Sequence, residues 1–153
     1  MDDMLAVARL QLDYAAALDN DELERWPDFF TADGLYRITN AGNEARGLPI
    51  GIVHCTGRAM MHDRVLSLRE ANVYEAQRYR HVLSLPVVAR NGEALTATTS
   101  FHVARIMQDG ETMLFATGEY RDVLVPDGDG LMFKQRVVVL DSERIDTLLA
   151  IPI

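Results

Sequence analysis

The fold of this chain is decided by residues 23–39, Leu-Glu-Arg-Trp-Pro-Asp-Phe-Phe-Thr-Ala-Asp-Gly-Leu-Tyr-Arg-Ile-Thr. Three large aromatic side chains in this stretch have helical spacing and would share one face of a short helix; they are Trp26, Phe29 and Phe30. Asp33-Gly34 is a turn pair, and Tyr36 and Ile38 then alternate with polar residues as strand residues do. The stretch therefore predicts an aromatic helix, a turn and a strand in direct succession, with the aromatic side chains in the core.

Helices are predicted on both sides of this stretch. The first covers Asp3–Leu18 and is ended by Asp19-Asn20-Asp21, and another covers Arg58–Glu70. Between the aromatic unit and this last helix, residues 40–47 are typical of a polar loop and residues 48–55 of an apolar strand. The apolar residues that mark the predicted inward face of the first helix are Leu5, Ala8, Leu12, Ala15 and Ala16.

The second half of the chain is predicted to be an antiparallel meander. Asn91-Gly92 and Asp109-Gly110 are strong hairpin signals, because both central residues of a type I′ turn need positive φ, and residues 126–130 make a longer turn. We expect a bulge at Gly118, and we expect the apolar residues 147–153 to dock against the core or a partner. The predicted strands are Arg80–Arg90, Glu93–Gln108, Glu111–Val125 and Leu131–Glu143.

This order of elements predicts an α+β fold, with about three helices over one face of a long, strongly curved antiparallel sheet. The last strand carries apolar residues on both faces, for example Val137 on one and Val138 on the other. We therefore expect another subunit to bury the second face. The alternative is that the tail and loops cover that face within a monomer. The predicted polar rim of the subunit contact consists of Lys134, Arg136, Glu119 and Arg121.

Composition limits the possible functions. The 153 residues fit one domain, which we predict to span residues 1–153. The net charge of −8 argues against nucleic acid or an anionic membrane as partner, because neither phosphate nor lipid headgroups attract an acidic surface. One cysteine, Cys55, and the absence of an export signal at Met1-Asp2-Asp3 favour the cytoplasm.

Metal and catalytic motifs are weak in this sequence. No two of His54, His62, His81 and His102 have the i, i+4 spacing of a helical metal site, and a triad of His54, His81 and Asp63 would require long-range folding. A Rieske cluster needs two cysteines, so a single cysteine excludes it from this chain. General acid/base catalysis inside the curved sheet remains open, since Tyr, Asp and His can be tuned by burial. The candidates are Tyr14, Asp33, Tyr36, His54 and His81, each of which has a purely structural explanation as well.

Five arginines fall between Arg58 and Arg80 in an otherwise acidic chain. Arg and Tyr are enriched at protein interfaces, where a guanidinium can hold a carboxylate or stack on a ring. The alternative is a solvated charged face with weak local ion pairs. The interface candidates are Arg78, Tyr79, Arg80, His81, Tyr120 and Arg136.

The order of these motifs resembles the small (β) subunits of aromatic-ring-hydroxylating dioxygenases over nearly the whole chain. The motifs are Trp-x-x-Phe-Phe-x-x-Asp-Gly-x-Tyr from Trp26, Asp63-Arg64, Arg78-Tyr79-Arg80-His81, Gly118-Glu119-Tyr120, Gln135-Arg136-Val137-Val138 and Asp141. Within that family the chain is most similar to small subunits of enzymes for aromatic acids, terephthalate in particular. The stretches that carry this second likeness are residues 24–27, 69–75 and 110–112.

The resemblance implies an NTF2-like cone and an α3β3 hexamer that dihydroxylates an aromatic carboxylate. It implies that the large α subunit carries a Rieske [2Fe-2S] cluster and mononuclear Fe(II) and receives electrons from a reductase. This chain would then be a structural subunit, forming a β trimer within the hexamer, with no catalytic, cofactor-binding or metal-binding residue of its own.

Two alternatives use the same fold differently. The chain could be a free-standing NTF2-like isomerase or dehydratase with its acid/base site in the cone. It could instead be a small-ligand binding module. Turnover by the isolated chain would distinguish the first of these from a scaffold subunit.

Overall fold

The computed structural model describes residues 2–48, 51–71, 76–144 and 151–153. Within these ranges the chain forms three α-helices, one 3₁₀ helix and seven strands. The helices are α1 (Asp3–Asp19), the 3₁₀ helix (Leu23–Phe29), α2 (Ala41–Ala45) and α3 (Arg58–Ala71). The strands are β1 (Phe30–Asn40), β2 (Val53–Thr56), β3 (Gln77–Leu83), β4 (Val87–Asn91), β5 (Ala94–Met107), β6 (Thr112–Asp127) and β7 (Gly130–Leu140).

The strands form one sheet in the order β2-β1-β7-β6-β5-β3, with β4 also paired to β5. The α+β class and the long meander are confirmed, but the sheet is mixed, because β1 pairs with β7 in parallel. A parallel pair needs a long connection, and here the whole meander lies between its two strands. The prediction of one strand over Arg80–Arg90 was wrong, since Pro86 cannot donate to a ladder and separates β3 from β4.

Bulges in β6 and β7 bend the sheet, and neither lies at Gly118. Val103 pairs with Ala116 and Ala104 with Leu114, which leaves Phe115 as the extra residue of β6. In the same way Lys134 is the extra residue of β7. Gly118 is needed for a different reason: a Cβ there would overlap the carbonyl oxygen of Val139 on the neighbouring strand.

The aromatic unit also differs from its prediction in one respect. The helix is 3₁₀, and Phe30 at its end is already the first residue of β1. Asp33-Gly34 is therefore not a turn between helix and strand but part of a bulge within β1, between the pairs Phe30–Phe133 and Leu35–Gln135. Trp26 and Phe30 are fully buried, as expected. Arg58 of α3 fixes the bulge by donating from Nε to the Phe30 carbonyl oxygen at 3.1 Å.

The bounds of α1 are confirmed, but of its five predicted inward residues only Ala15 is buried, and Ala8 is partly buried. Leu5 and Leu12 are 54% and 62% exposed, whereas Val7, Gln11 and Tyr14 are buried. The face with a polar Gln turns inward because the core contains a charged side chain that Gln11 contacts, as described below. Apolar content alone therefore gave the wrong helix face.

The predictions for the segment between β1 and α3, for α3 itself and for the tail are partly confirmed. The helix predicted over Arg58–Glu70 corresponds to α3, and the loop predicted over 40–47 contains α2. The strand predicted over 48–55 is shorter than expected and corresponds to β2, and residues 49 and 50 lie outside the described ranges. In the tail, residues 145–150 lie outside the description, while residues 151–153 are buried in the core.

The face of the sheet opposite α1 and α3 is divided. Over β1 and β7 it is covered within the chain by α2, so that Thr39, Val137 and Val139 are buried. Over β3, β5 and β6 it is open, and Val82 and Leu114 are 53% and 60% exposed. No helix in the described residues is long and apolar enough to cross a membrane.

Candidate functional site

The candidate site is the cone interior, which we define as the space between the helices and the sheet around Tyr14, Tyr36, Tyr120, Phe133 and Arg136. At its centre Arg136 of β7 and Asp122 of β6 form a two-point ion pair, with Nε–Oδ1 2.8 Å and Nη2–Oδ2 2.9 Å. Neither side chain is exposed at all. Gln11 of α1 joins the pair: its amide nitrogen donates to Asp122 Oδ2 at 2.9 Å and its amide oxygen accepts from Arg136 Nη2.

Aromatic rings enclose this ion pair. The Arg136 Cζ atom lies 3.7 Å from the Tyr120 ring centroid, 4.1 Å from that of Phe133 and 4.4 Å from that of Tyr14. Burial alone lowers the pKa of Arg136, but the Asp122 carboxylate outweighs burial and the pKa is raised overall. The guanidinium is thus a permanent charge, neutralised inside the chain and unavailable for proton transfer.

Residues 151–153 fill another part of the interior. The Ile153 carbonyl oxygen accepts from the Tyr36 hydroxyl at 2.8 Å and from the Tyr14 hydroxyl at 3.2 Å, and the Ile153 amide donates to the Tyr36 oxygen at 3.1 Å. Trp26 Nε1 donates to Tyr14 at 3.0 Å. Burial raises the pKa of Tyr36 well above its usual value and raises that of Tyr14 as well. Both phenols therefore stay protonated and serve as structural donors, not as bases.

Within the described ranges, His81 and Asp19 have the geometry of an acid/base pair. The Asp19 carboxylate accepts the His81 backbone amide at 3.0 Å and contacts Nδ1 at 2.6 Å. This contact favours the tautomer with the proton on Nδ1, which leaves Nε2 as an acceptor. Nε2 is buried and has no hydrogen-bond partner among the described residues. Sequence reasoning missed Asp19, because 62 residues separate it from His81 and it had been interpreted only as a helix end.

The other acid/base and metal candidates are dispersed. β2 with His54 and β3 with His81 lie at opposite ends of the strand order, so the triad of His54, His81 and Asp63 does not form. His54 and Asp63 instead line an open cleft between β2 and α3. Asp33 is exposed in the β1 bulge. No cluster of three or more His, Cys, Asp or Glu side chains suited to a metal occurs in the ranges that the structure describes.

The predicted interface residues divide into an inner and an outer set. Tyr120 and Arg136 are completely buried inside the chain and have no surface to offer a partner, because the extra residue at Lys134 turns Arg136 inward. Tyr79 and His81 are also buried within the chain. Arg78 and Arg80 are exposed on the open face of the sheet, where an interface remains a prediction.

Comparison with known proteins gives consistent matches over nearly the whole chain. Residues 1–137 match the SnoaL-like domain family. The chain is 45% identical, over 97% of both chains, to the β 1 subunit of the terminal oxygenase component of terephthalate 1,2-dioxygenase from Comamonas. It is also 45% identical to the small subunit of anthranilate 1,2-dioxygenase from Burkholderia cepacia, over 94% of this chain and 90% of that one.

A solved structure agrees with these matches. The β subunit of a proposed aromatic-ring-hydroxylating dioxygenase from Novosphingobium aromaticivorans superposes with a TM-score of 0.89 and is 34% identical. The match covers 98% of this chain and 96% of the other.

Proposed function

Because the chain belongs to the SnoaL-like family and, within it, to the small (β) subunits of aromatic-ring-hydroxylating dioxygenases, we propose that it is the structural subunit of a complex that dihydroxylates an aromatic carboxylate. It is a subunit of an oxidoreductase complex, and its partner is a large α subunit. The two dioxygenase relatives described above are named for terephthalate and anthranilate, which both carry a carboxylate on a benzene ring. A substrate of that class, terephthalate first, is therefore our proposal for the complex.

The observation that carries the structural role is the filling of the cone interior. A catalytic cone would need room for substrate and reactive groups free to exchange protons. Here the Arg136–Asp122 pair, its ring enclosure and Ile153 occupy that space, and Gln11, Tyr14 and Tyr36 hold them by hydrogen bonds within the chain. Tyr14 and Tyr36, both acid/base candidates, are held as protonated donors. The interior supports stability more than chemistry.

We assign the redox groups to the large subunit. A Rieske cluster takes two cysteine ligands, and this chain has one cysteine, Cys55, which is buried. The proposed complex is an α3β3 hexamer in the cytoplasm. Its α subunits hold the [2Fe-2S] cluster and the mononuclear Fe(II) and accept electrons from a reductase.

Co-expression with the large subunit tests this proposal. Native mass spectrometry should give three copies of each chain, and after separation under denaturing conditions the cluster-binding cysteines should map to the large chain alone. Terephthalate-dependent oxygen uptake should require the large subunit and should fall when this chain is omitted. Full uptake by a large subunit purified without this chain would contradict the proposal.

A second candidate function is favoured by one observation, the His81–Asp19 pair with its free Nε2. In this reading the chain is an acid/base enzyme with His81 as the base. The isolated chain should then turn over a ketone or hydroxy substrate, and His81→Ala should abolish turnover without unfolding the chain. Inactivity of the folded wild-type chain toward a panel of such substrates would eliminate this candidate.

A further inference from the structure

The open face of the sheet carries a compact surface of arginine and apolar side chains. It consists of Arg78, Arg80 and Val82 on β3, His102 and Ala104 on β5, and Leu114 on β6, and we call it the outer strip. These residues are neighbours across the strands, since Arg80 pairs with Ala104, Ala104 with Leu114, and Val82 with His102. A shallow groove runs along the strip. Exposed apolar side chains flanked by charge are typical of a protein contact.

The arginines of the strip lack the partners that other arginines of this chain have. Arg37, Arg69 and Arg90 each form an ion pair at 2.9 Å or less. In the described part of the chain, Arg78 and Arg80 form none. They stand two residues apart on one face of β3, about 7 Å from each other, so their charges repel. The strip thus carries two positive charges without ion-pair partners in the described residues, on a chain of net charge −8, and the exposed Asp109 and Glu111 stand at the adjacent hairpin between β5 and β6.

An acidic surface lies at the far end of the same sheet. Glu93, Asp127 and Asp129 are exposed at the hairpin tips, and none of them has an ion pair among the described residues. On β6, Leu114 of the strip lies near the beginning of the strand and Asp127 is its last residue, 13 residues further on, which is about 43 Å along a strand. The two surfaces are therefore too far apart to neutralise each other within one copy.

We propose that the outer strip binds the acidic hairpin end of a second copy of this chain, an inference that rests on the proposed function. Two strips facing each other across a two-fold axis would place four unpaired arginines together, which opposes an isologous dimer. A contact between strip and acidic end is heterologous, and a heterologous contact that closes gives a ring. Charge complementarity between copies thus selects head-to-tail assembly, which is the kind that a β trimer requires.

Charge reversal in the co-expressed complex and in the chain alone tests the inference. Arg78→Glu/Arg80→Glu should abolish self-association in native mass spectrometry and sedimentation, as should Asp127→Lys/Asp129→Lys. The quadruple variant should restore it. Val82→Asp, which removes the apolar part of the strip without touching the arginines, should also abolish self-association. The matched control is Arg9→Glu/Arg25→Glu, which changes the net charge equally at exposed sites away from the strip and should leave assembly intact.

The outcomes separate this inference from the proposed function. If the wild-type complex contains one copy of this chain, the hexamer of the proposed function fails first. If the wild-type complex contains several copies and the reversed variants keep them, the inference is overturned and the hexamer stands. It is equally overturned if the reversed strip loses only the large subunit while self-association persists. Circular dichroism of each variant checks that a loss of assembly is not a loss of folding.

Discussion

Arginine is buried and paired in the cone interior but exposed and unpaired, among the described residues, on the outer strip. Arg136 and Arg80 both lie in long strands of one sheet, yet the first is fully buried and the second is exposed. The difference lies in the cross-strand neighbour: Arg136 is opposite Asp122, whereas Arg80 is opposite Ala104. A buried charge requires a partner and hydrogen bonds, and only the interior supplies them. The residue opposite a strand arginine on the neighbouring strand therefore decides whether the arginine stabilises the fold or lies exposed for a partner.

The interior should be the more fragile of the two regions. Asp122→Ala removes the partner of a buried guanidinium and should lower the free energy of unfolding by about 3–5 kcal/mol, because the charge of Arg136 stays buried and uncompensated. Urea unfolding measures this. Replacing both partners, with Asp122→Leu and Arg136→Met, should cost clearly less than the single change. Arg121→Ala, on the same strand, removes the partly exposed ion pairs of Arg121 with Glu119 and Glu44 and should cost at most about 1 kcal/mol. Equal losses of unfolding free energy for Asp122→Ala and Arg121→Ala would contradict the expected difference between the buried and the exposed ion pairs.

Two tyrosines test whether hydrogen bonding, and not only burial, distinguishes the interior. Tyr36→Phe leaves the Ile153 amide without its acceptor and should destabilise the chain by about 1–3 kcal/mol. Tyr120→Phe is the matched control, since the Tyr120 hydroxyl is buried without a hydrogen-bond partner among the described residues. That change should be neutral or slightly stabilising. Thermal and urea unfolding should rank the two variants in this order, and the reverse order would contradict the contacts seen here.

Alkaline pH should weaken the interior selectively. Burial raises the pKa of Tyr14, Tyr36 and Tyr120 above the usual value near 10, so the unfolded chain loses these protons first. The stability that these protonated tyrosines contribute is fully present below about pH 10 and is lost as the pH rises above it, by on the order of 1 kcal/mol at pH 11 for each tyrosine that stays protonated in the folded chain. Urea unfolding at pH 9 and pH 11 should show this fall, and Tyr120→Phe should reduce it by one tyrosine's share. A fall that is unchanged in Tyr120→Phe would contradict the prediction.

The smallest effect is expected on the outer strip. Leu114→Ala should change the free energy of unfolding of the dilute, unassembled chain by no more than about 0.5 kcal/mol, because its side chain is mostly exposed. Leu124→Ala, on the same strand but in the core, should cost about 2–5 kcal/mol. A large loss for Leu114→Ala in the unassembled chain would mean that the strip stabilises the fold of a single copy.

The sequence predicted the elements of this fold better than their faces. Hairpin signals and helical spacing located α1, α3 and the meander, because these depend on neighbours within a few residues. The inward face of α1 was missed because Gln11 is buried by Asp122 and Arg136, more than 100 residues away. The parallel pairing of β1 with β7 depends on the order of strands across the whole sheet, which no local pattern contains.

The same limit applies to the candidate site. Arg136 was placed on a surface because simple alternation was followed through residue 134, where the strand has its extra residue. Lys134 has no feature that marks a bulge, whereas Gly118, which has one, is required for close strand approach instead. Asp19 could not be assigned to His81 without the packing of α1 on β3. The alternation of side chains along a strand predicts which face each one lies on only where no bulge interrupts the strand.

The contacts of Ile153 have a consequence for synthesis. Its hydrogen bonds span 139 residues to Tyr14 and 117 to Tyr36, so a growing chain can make them only after all the helices and strands described above have been synthesised. At translation rates of about 5–20 residues per second, the helices and most of the sheet leave the ribosome seconds before residues 151–153 do. Until then residues 151–153 cannot pack against the aromatic cluster that contains Trp26. Closure of the core is thereby coupled to synthesis through residue 153, and a chain terminated before that residue would expose the hydrophobic surface that chaperones and proteases recognise.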